Sequence, residues 1–589
     1  MKRITAIFSL IVFSLSAFPF NAAAETPDSR DPYAVRITPP APRITDAERQ
    51  TELARRRKAV ADRMEDGSML ILLSAEPKQY AGDVDFMYRQ ENNLYYLTAL
   101  KQNGATFVMT KTNGSVQEFL FLPKRNPQYE TWNGRMYSNE DATRLSGIKT
   151  IINAAEKNKF LEAVKSKTAF TSENKVSIPS AEILYLLLPE HPGDNDGRRE
   201  YRQEVEFSKT LSGYRVENAV PIFSELRLVK SPYELKILQH AIDISIEAHG
   251  RAMATVNRVK YEYETQAEVE YVFRRRNADY WGYPSIVGCG PNATTLHYVE
   301  SQGAVKPGDL LLMDVGAEYD HYTADITRTF PVSGKFTKEQ REIYQIVFDA
   351  QEAAASKIKP GAMFSEPSQA AAKTIEAGLA KLGLIESVGA FIPGTEREVP
   401  DGKGGKRKVG IPQYSLWYMH GWGHWLGMNV HDVGDYSTVL KPGMVMTNEP
   451  GIYIREDALD YFPDTPETRA FIAKIRPAFE KYKNIGVRIE DDMLVTETGV
   501  EWMSRNLPRK LEDVEAFIAK ASSSVNLAAE RRTEKPVFSV FDFSTNSFAN
   551  LASFFETGRN GRTVRSGFIG AGKTAAYAGA LHNGHAHAE

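Results

Sequence analysis

Lys306-Pro-Gly-Asp-Leu-Leu-Leu-Met-Asp314 and Lys441-Pro-Gly-Met-Val-Met-Thr-Asn-Glu449 follow one plan, with an acid eight residues after the lysine. Each predicts a turn feeding a short, mostly buried strand that ends in a carboxylate. The matched offset points to two pseudo-symmetric halves that each deliver an acid to a shared centre. A third Lys-Pro-Gly, at 359, has no such sequel, so the repeat taken alone leaves coincidence open.

Working outward from Asp314, a two-residue turn at Tyr319-Asp320 would set Asp314 directly opposite Asp325 on an antiparallel hairpin. Opposed positions share a face, with Cβ atoms ~4.5–5.5 Å apart. Two carboxylates there repel, and a cation between them reverses the sign. The alternative is a solvated hairpin face, against which stand the apolar Leu310-Leu-Leu-Met313 run, Ile326 and Phe330.

Three of the 11 histidines fall in His420-Gly-Trp-Gly-His424-Trp-Leu-Gly-Met-Asn-Val-His431-Asp432. Gly421, Gly423 and Gly427 argue against a regular helix, so the spacing is not that of a helical zinc motif. Histidines beside glycines, where backbone can approach closely, point to a site. Val487-Arg488-Ile489-Glu490-Asp491-Asp492 adds a β-like stretch around another acid. The candidates are then Asp314, Asp325, Glu449, Glu490 and at least one histidine. Oxygen ligands with one imidazole favour Mn²⁺, Co²⁺ or Fe²⁺ over a sulfur-rich structural zinc site. Four carboxylates balance two divalent ions, and such a pair ~3.5–4 Å apart can hold a bridging hydroxide and polarise a carbonyl.

The rest of the chain sets the context. At 589 residues and 65.9 kDa it calls for two to four domains. A composition of 42% hydrophobic and 25% charged residues is globular, and a net charge of −3 lacks the basic excess of a nucleic-acid binder. The single cysteine, Cys289, excludes an intramolecular disulfide, a Cys-rich zinc site and an iron–sulfur cluster. Lys2, Arg3, an apolar run over 4–20 and Ala22-Ala23-Ala24 read as a signal peptide over 1–24. Its cleavage would leave a chain of net −5, secreted or periplasmic and without stable membrane insertion. After about Lys520, residues 521–589 read as a linker and a disordered Gly-, Ala- and His-rich tail. Gly567 to Thr574 fits a phosphate-loop spacing, but no buried strand precedes it and only 15 residues follow, so no nucleotide-binding domain fits there.

Residues 45–225 predict an α/β domain. Strands are expected at 69–73, 94–97, 105–109 and 118–122, helices at 153–165 and 181–188, and a polar loop at 189–202. Ser231-Pro232-Tyr-Glu234 and Thr337-Lys-Glu-Gln340 are capping boxes that open helices after a boundary near Leu228.

Asp314-x10-Asp325-Ile-Thr-Arg-Thr-Phe, His420-Gly-x-Gly-His424-x-x-Gly-x-x-Val-His-Asp432, Asn448-Glu449-Pro-Gly and Arg488-Ile-Glu490-Asp-Asp resemble the pita-bread metallopeptidases, most closely aminopeptidase P, the Xaa-Pro aminopeptidases. Gly82-Asp-Val-Asp-Phe-Met-Tyr-Arg89-Gln90 resembles that family's smaller domain. The resemblance implies an α/β (α+β) chain, with an aminopeptidase-P-like domain over 45–225 and a pita-bread catalytic domain with pseudo-twofold halves over 230–520. It also implies two divalent ions, Mn²⁺ ahead of Co²⁺ or Zn²⁺. Asp314 would bind one ion, Asp325 and Glu490 would bridge both, and His424 and Glu449 would complete the second. Glu449 would in addition shuttle protons to and from the bridging hydroxide. His297, His420 and His431 would face the substrate, and Arg488 would stand beside Glu490. His321 matches no family ligand and is read as a surface residue.

The substrates implied are peptides with proline at the second position, acted on by a homo-oligomer, a dimer or a tetramer. A Xaa-Pro dipeptidase shares all five ligands and is the close alternative. A non-catalytic binding protein on the same fold would not be expected to keep every metal position. The charged stretches over 455–468 and 474–483 and the polar run over 401–408 exceed the family's core and would rim the cleft.

Overall fold

The computed structural model describes residues 33–189, 201–400 and 406–524. The signal peptide, most of the 189–202 loop and the chain beyond 524, with its phosphate-loop lookalike, lie outside the described residues.

The N-terminal half is built on β1 (Ser68–Leu73), β2 (Thr106–Thr112), β3 (Ser115–Leu122), β4 (Ile151–Asn153), β5 (Ile183–Leu186) and β6 (Arg215–Asn218). They form one mixed sheet in the order β6-β5-β1-β2-β3-β4. Two expectations change here. The Leu94 to Leu97 run is not a strand but lies in helix α2 (Asn92–Thr98), where the Glu91 side chain accepts hydrogen bonds from the Asn93 and Leu94 N–H groups. All seven residues of α2 are buried, and a short helix buried on every side carries no period by which to recognise it. Conversely, 181–188 is not a helix but contains β5, buried throughout and paired in parallel to both β1 and β6. A strand buried on both faces reads as a continuous apolar run, without alternation. Ahead of the sheet, α1 (Asp46–Arg63) is capped by Thr45. After it, α3 (Val220–Leu228) leads into the second half.

There both expected capping boxes form, opening α4 (Pro232–Thr255) and α5 (Lys338–Ala355). The first Lys-Pro-Gly copy feeds β8 (Leu310–Val315), which lies between β7 (Ile286–Cys289) and β11 (Ile326–Pro331). The second feeds β12 (Val445–Asn448), and Glu449 follows directly. β13 (Gly451–Tyr453) pairs with β14 (Gly486–Arg488), and β12 pairs with β15 (Asp491–Val495). A bridge between Thr327 and Glu490 joins the two halves.

The hairpin register differs from the expected one. β9 (Ala317–Tyr319) and β10 (Tyr322–Thr323) close on a turn at Asp320-His321, so Asp314 faces Thr327 rather than Asp325. Both turn residues take left-handed φ, 48° and 68°, which is the turn type that matches strand twist. A slip of two residues preserves the face, because side chains alternate with a period of two. Asp325 therefore remains on the side of Asp314, diagonally placed.

The C-terminal helix α6 (Leu511–Ser524) continues past the point at which a linker was expected. Val514, Phe517, Ile518 and Ala521 are buried at helical spacing, so residue 521 still belongs to the core. One apolar cluster runs from Leu94 and Phe223 through Ile237, Trp425 and Val487 to Ala521, tying the two halves together. No helix among the described residues is long and apolar enough to cross a membrane.

Candidate active site

Five strand ends and one glycine-rich loop converge. Asp314 comes from β8, Asp325 precedes β11, Glu449 follows β12, and Glu490 sits between β14 and β15. His424 lies in the irregular loop over 420–432. Gly423 allows that loop to lie against β12, since a Cβ there would stand 2.2 Å from the Thr447 carbonyl oxygen.

His424 Nε2 is 3.2 Å from Asp325 Oδ2 and 3.2 Å from Glu449 Oε1. Its Nδ1 is 3.1 Å from the Trp425 carbonyl, which can only accept, so Nδ1 holds the proton and Nε2 faces the acids. One ligand atom each from Asp325, His424 and Glu490 lies within 4.8 Å of the others.

Each acid is itself held. The Tyr283 hydroxyl stands 2.5 Å from both Asp314 Oδ1 and Asp325 Oδ1. Thr327 Oγ1 donates to Glu490 Oε2 at 2.6 Å, and Thr447 Oγ1 donates to Glu449 Oε1 at 3.0 Å. Arg488 pairs through Nη2 with Asp314, while Nη1 donates to the Tyr453 hydroxyl at 2.8 Å and Nε to Thr327 Oγ1 at 3.1 Å. The arginine expected beside Glu490 acts on that acid by charge and through Thr327, and pairs directly with Asp314. Its guanidinium reaches both the end of β8 and Thr327 across the sheet.

Burial, then the charges of Asp314 and Glu449, push the Asp325 carboxyl well above the usual carboxylate range. Glu490 is pushed the same way by burial and by Asp325, Glu449 and Asp314. Among the described residues, Arg488 is the one permanent cation paired with any of these four acids.

Three further imidazoles border the cluster. His420 Nε2 is 2.9 Å from the Tyr453 hydroxyl, and its Nδ1 is 3.9 Å from Glu449 Oε2. The His431 ring lies 4.3 Å from that of His424 at 72°. His297 is exposed and close enough for its charge to act on His431. Burial holds both His420 and His431 below the usual imidazole range, and His424 adds to this at His431.

Residues 236–497 match metallopeptidase family M24, and residues 53–171 match the aminopeptidase P N-terminal domain. The chain is 33% identical over 475 residues to the Xaa-Pro aminopeptidase of Escherichia coli, covering 80% of this chain and 98% of that protein. It is 35% identical over 469 residues to that of Haemophilus influenzae, covering 79% and 96%. The chain belongs to the Xaa-Pro aminopeptidases. Its fold is accordingly similar to that of E. coli aminopeptidase P with the inhibitor Pro-Leu, at a TM-score of 0.64 and 30% identity over 80% of this chain and 99% of that one. The chain is a metallo-aminopeptidase, with an N-terminal domain of the aminopeptidase P type and a C-terminal pita-bread domain.

The donor set fits the divalent metals that this family implies. Four acids with one permanent counter-cation, two of them driven by burial and then by mutual repulsion to keep protons, are relieved by cations. The imidazole turns Nε2 towards these acids. In this Xaa-Pro aminopeptidase chain the structure also adds residues that sequence reasoning passed over. Thr327 lies two residues after Asp325 and Thr447 two before Glu449, positions that the period of a strand would have put on the same face. Tyr453 follows Glu449 by four residues, whereas Tyr283 carries no local signal. His321 is not a surface residue: it is 2% exposed and its ring stacks on Tyr95 at 3.8 Å. Helix α2 covers the turn that carries it, and nothing near residue 321 announces that contact.

Proposed function

We propose that the chain hydrolyses the bond between an N-terminal residue and a following proline, using two divalent ions. Asp314 would hold one ion, Asp325 and Glu490 both, and His424 with Glu449 the second. The observation that carries this reading is the convergence of Asp325, His424 and Glu490 within 4.8 Å, with His420 and His431 bordering it. When bound, the ions supply a Lewis acid for the scissile carbonyl and activate water as a nucleophile at neutral pH.

The chain's residues do the rest. The leaving proline nitrogen bears no hydrogen in the peptide and needs one to depart. Glu449, with a side chain 15% exposed and in contact with His424, is placed to take a proton from water and deliver it there. His420 and His431 border the space for the peptide, and His431 donates to the developing oxyanion, with His297 at the outer edge. Arg488 and Tyr453 keep Asp314 and His420 in register.

Support for an aminopeptidase over a dipeptidase comes from the relatives and from the N-terminal domain. The test is hydrolysis of Xaa-Pro-Xaa tripeptides and Xaa-Pro dipeptides after chelation and re-addition of Mn²⁺, Co²⁺ or Zn²⁺. Cleavage of tripeptides, highest with Mn²⁺, is expected; activity confined to dipeptides would sink the reading. Export after removal of residues 1–24 and assembly into a dimer or tetramer belong to the same proposal. N-terminal sequencing of the mature protein and light scattering test them.

A further inference from the structure

The loop that carries His424 and His431 is gripped from outside the metal cluster. Asp432, next to His431, is buried with a side chain 1% exposed. Its Oδ1 accepts from Arg227 Nη2 at 2.6 Å and its Oδ2 from Lys230 Nζ at 3.3 Å. Both cations are equally buried, and neither belongs to the metal cluster. Arg227 ends α3 and Lys230 precedes α4, so the pair sits on the segment that links the two halves.

The grip extends into the N-terminal half. Arg227 Nη1 donates to Asn93 Oδ1 at 2.8 Å, and Asn93 Nδ2 donates to Glu91 Oε1 at 2.9 Å. Glu91 also caps α2. From the same stretch, Arg89 Nη2 donates to the Met428 carbonyl at 2.7 Å, and Asn92 Nδ2 donates to Asn429 Oδ1 at 2.7 Å. Gly427 makes room for this arrangement: a Cβ there would stand 2.2 Å from Asp432 Oδ2 and 2.9 Å from Lys230 Cε.

His424 has an anchor of its own. Its N–H donates to Thr447 Oγ1 at 3.0 Å, and its carbonyl accepts from the Thr447 N–H at 2.9 Å. Among the described residues His431 has no such tie to a strand. Its end of the loop is fixed by the Asp432 N–H donating to the Trp425 carbonyl at 2.9 Å, the Thr323 N–H donating to the Gly427 carbonyl at 2.9 Å, the Asp432 carboxylate and the N-terminal contacts at Met428 and Asn429.

We infer that Asp432 is a positioning residue that sets His431 against the substrate, and that Arg227, Lys230 and Arg89 transmit this placement from the linker and the N-terminal domain. The inference rests on the proposed substrate-facing role of His431. The N-terminal domain is then part of how the active site is shaped. Buried charge pairs held by several hydrogen bonds favour one geometry, and a misplacement of ~1 Å near the reacting atoms costs up to about 100-fold in rate.

The test is a double-mutant cycle on a Xaa-Pro-Xaa tripeptide with the metal-loaded full chain. Asp432→Asn is expected to lower kcat/KM about tenfold or more, to leave bound metal unchanged, and to add no further loss in a His431→Ala background. Arg89→Ala, which removes the hydrogen bond to the Met428 carbonyl together with the ion pair to buried Glu318, is expected to act in the same direction and with the same non-additivity. Additive effects, metal loss, or both variants within twofold of the parent would overturn the inference. If His431→Ala itself leaves kcat/KM unchanged, the proposed role of His431 fails instead, which separates the two readings.

Discussion

Thr327 and Glu490 exchange both backbone and side-chain contacts across the seam between the two halves. They form a lone antiparallel bridge, and Thr327 Oγ1 donates to Glu490 Oε2 at 2.6 Å. Thr327 also accepts from Arg488 Nε, so one hydroxyl links the acid of the second half to the arginine that grips Asp314 of the first. Thr327→Val keeps the shape and removes the hydroxyl. It is expected to weaken metal binding about 10- to 100-fold, read by titration of the chelated protein, with the fold retained by circular dichroism.

Tyr283 offers a sharper case, because its one hydroxyl lies at 2.5 Å from two acids. Tyr283→Phe removes that shared donor without opening a large cavity. Metal affinity is expected to fall about tenfold or more, and kcat/KM at limiting metal to fall with it. Full affinity in the variant would show that Asp314 and Asp325 are oriented by backbone alone.

Metal removal should change how stability depends on pH. Without metal, Asp325 and Glu490 hold protons well above the carboxylate range, whereas in the unfolded chain they ionise near ~4. Their contribution to stability is therefore present below ~4 and lost as pH rises through the raised folded values. Bound cations abolish that loss. The difference in Tm between loaded and chelated protein is expected to widen from acid to neutral pH, and a constant difference would contradict the assignment.

His249 acts in the opposite direction. It is fully buried with Nδ1 2.9 Å from the Ser245 carbonyl, and burial pushes it down to about 4. Its contribution is present above the unfolded value of ~6.5 and lost as pH falls towards the folded one. His249→Leu is expected to flatten the stability profile between about pH 6.5 and 4 by roughly 2–3 kcal/mol, measured by urea unfolding across that window.

Gly423→Ala tests the close approach in the histidine loop. The new methyl would meet the Thr447 carbonyl oxygen at 2.2 Å, so the loop has to move off β12 and take His424 with it. Loss of bound metal at near-native secondary structure is the expected result, measured by elemental analysis beside circular dichroism.

Much of the site was legible because its chemistry is written in residue type and spacing. The two Lys-Pro-Gly sentences did lead to strands that deliver Asp314 and Glu449 at their ends, Asp314 one residue before the end of β8 and Glu449 one after β12, and Gly423 did mark backbone contact. The hairpin register was misjudged by two residues because turn type, not arithmetic, sets where a hairpin closes, and Asp320 and His321 both accept left-handed φ. The face survived the error because parity did. α2 and β5 exchanged types for a common reason: elements buried on every side lose the periodicity that distinguishes them.

The sequence by itself determined which acids and imidazoles are present, the strand ends that deliver them and the family to which they belong, since these depend on local pattern and composition. Only the tertiary structure decided that Tyr283 reaches two acids, that Arg488 pairs directly with Asp314, that His321 is buried under α2, and that Asp432 is held by Arg227 and Lys230. Each of these contacts joins residues far apart along the chain. Their geometry follows from how strands register and helices pack, which no local stretch of residues encodes.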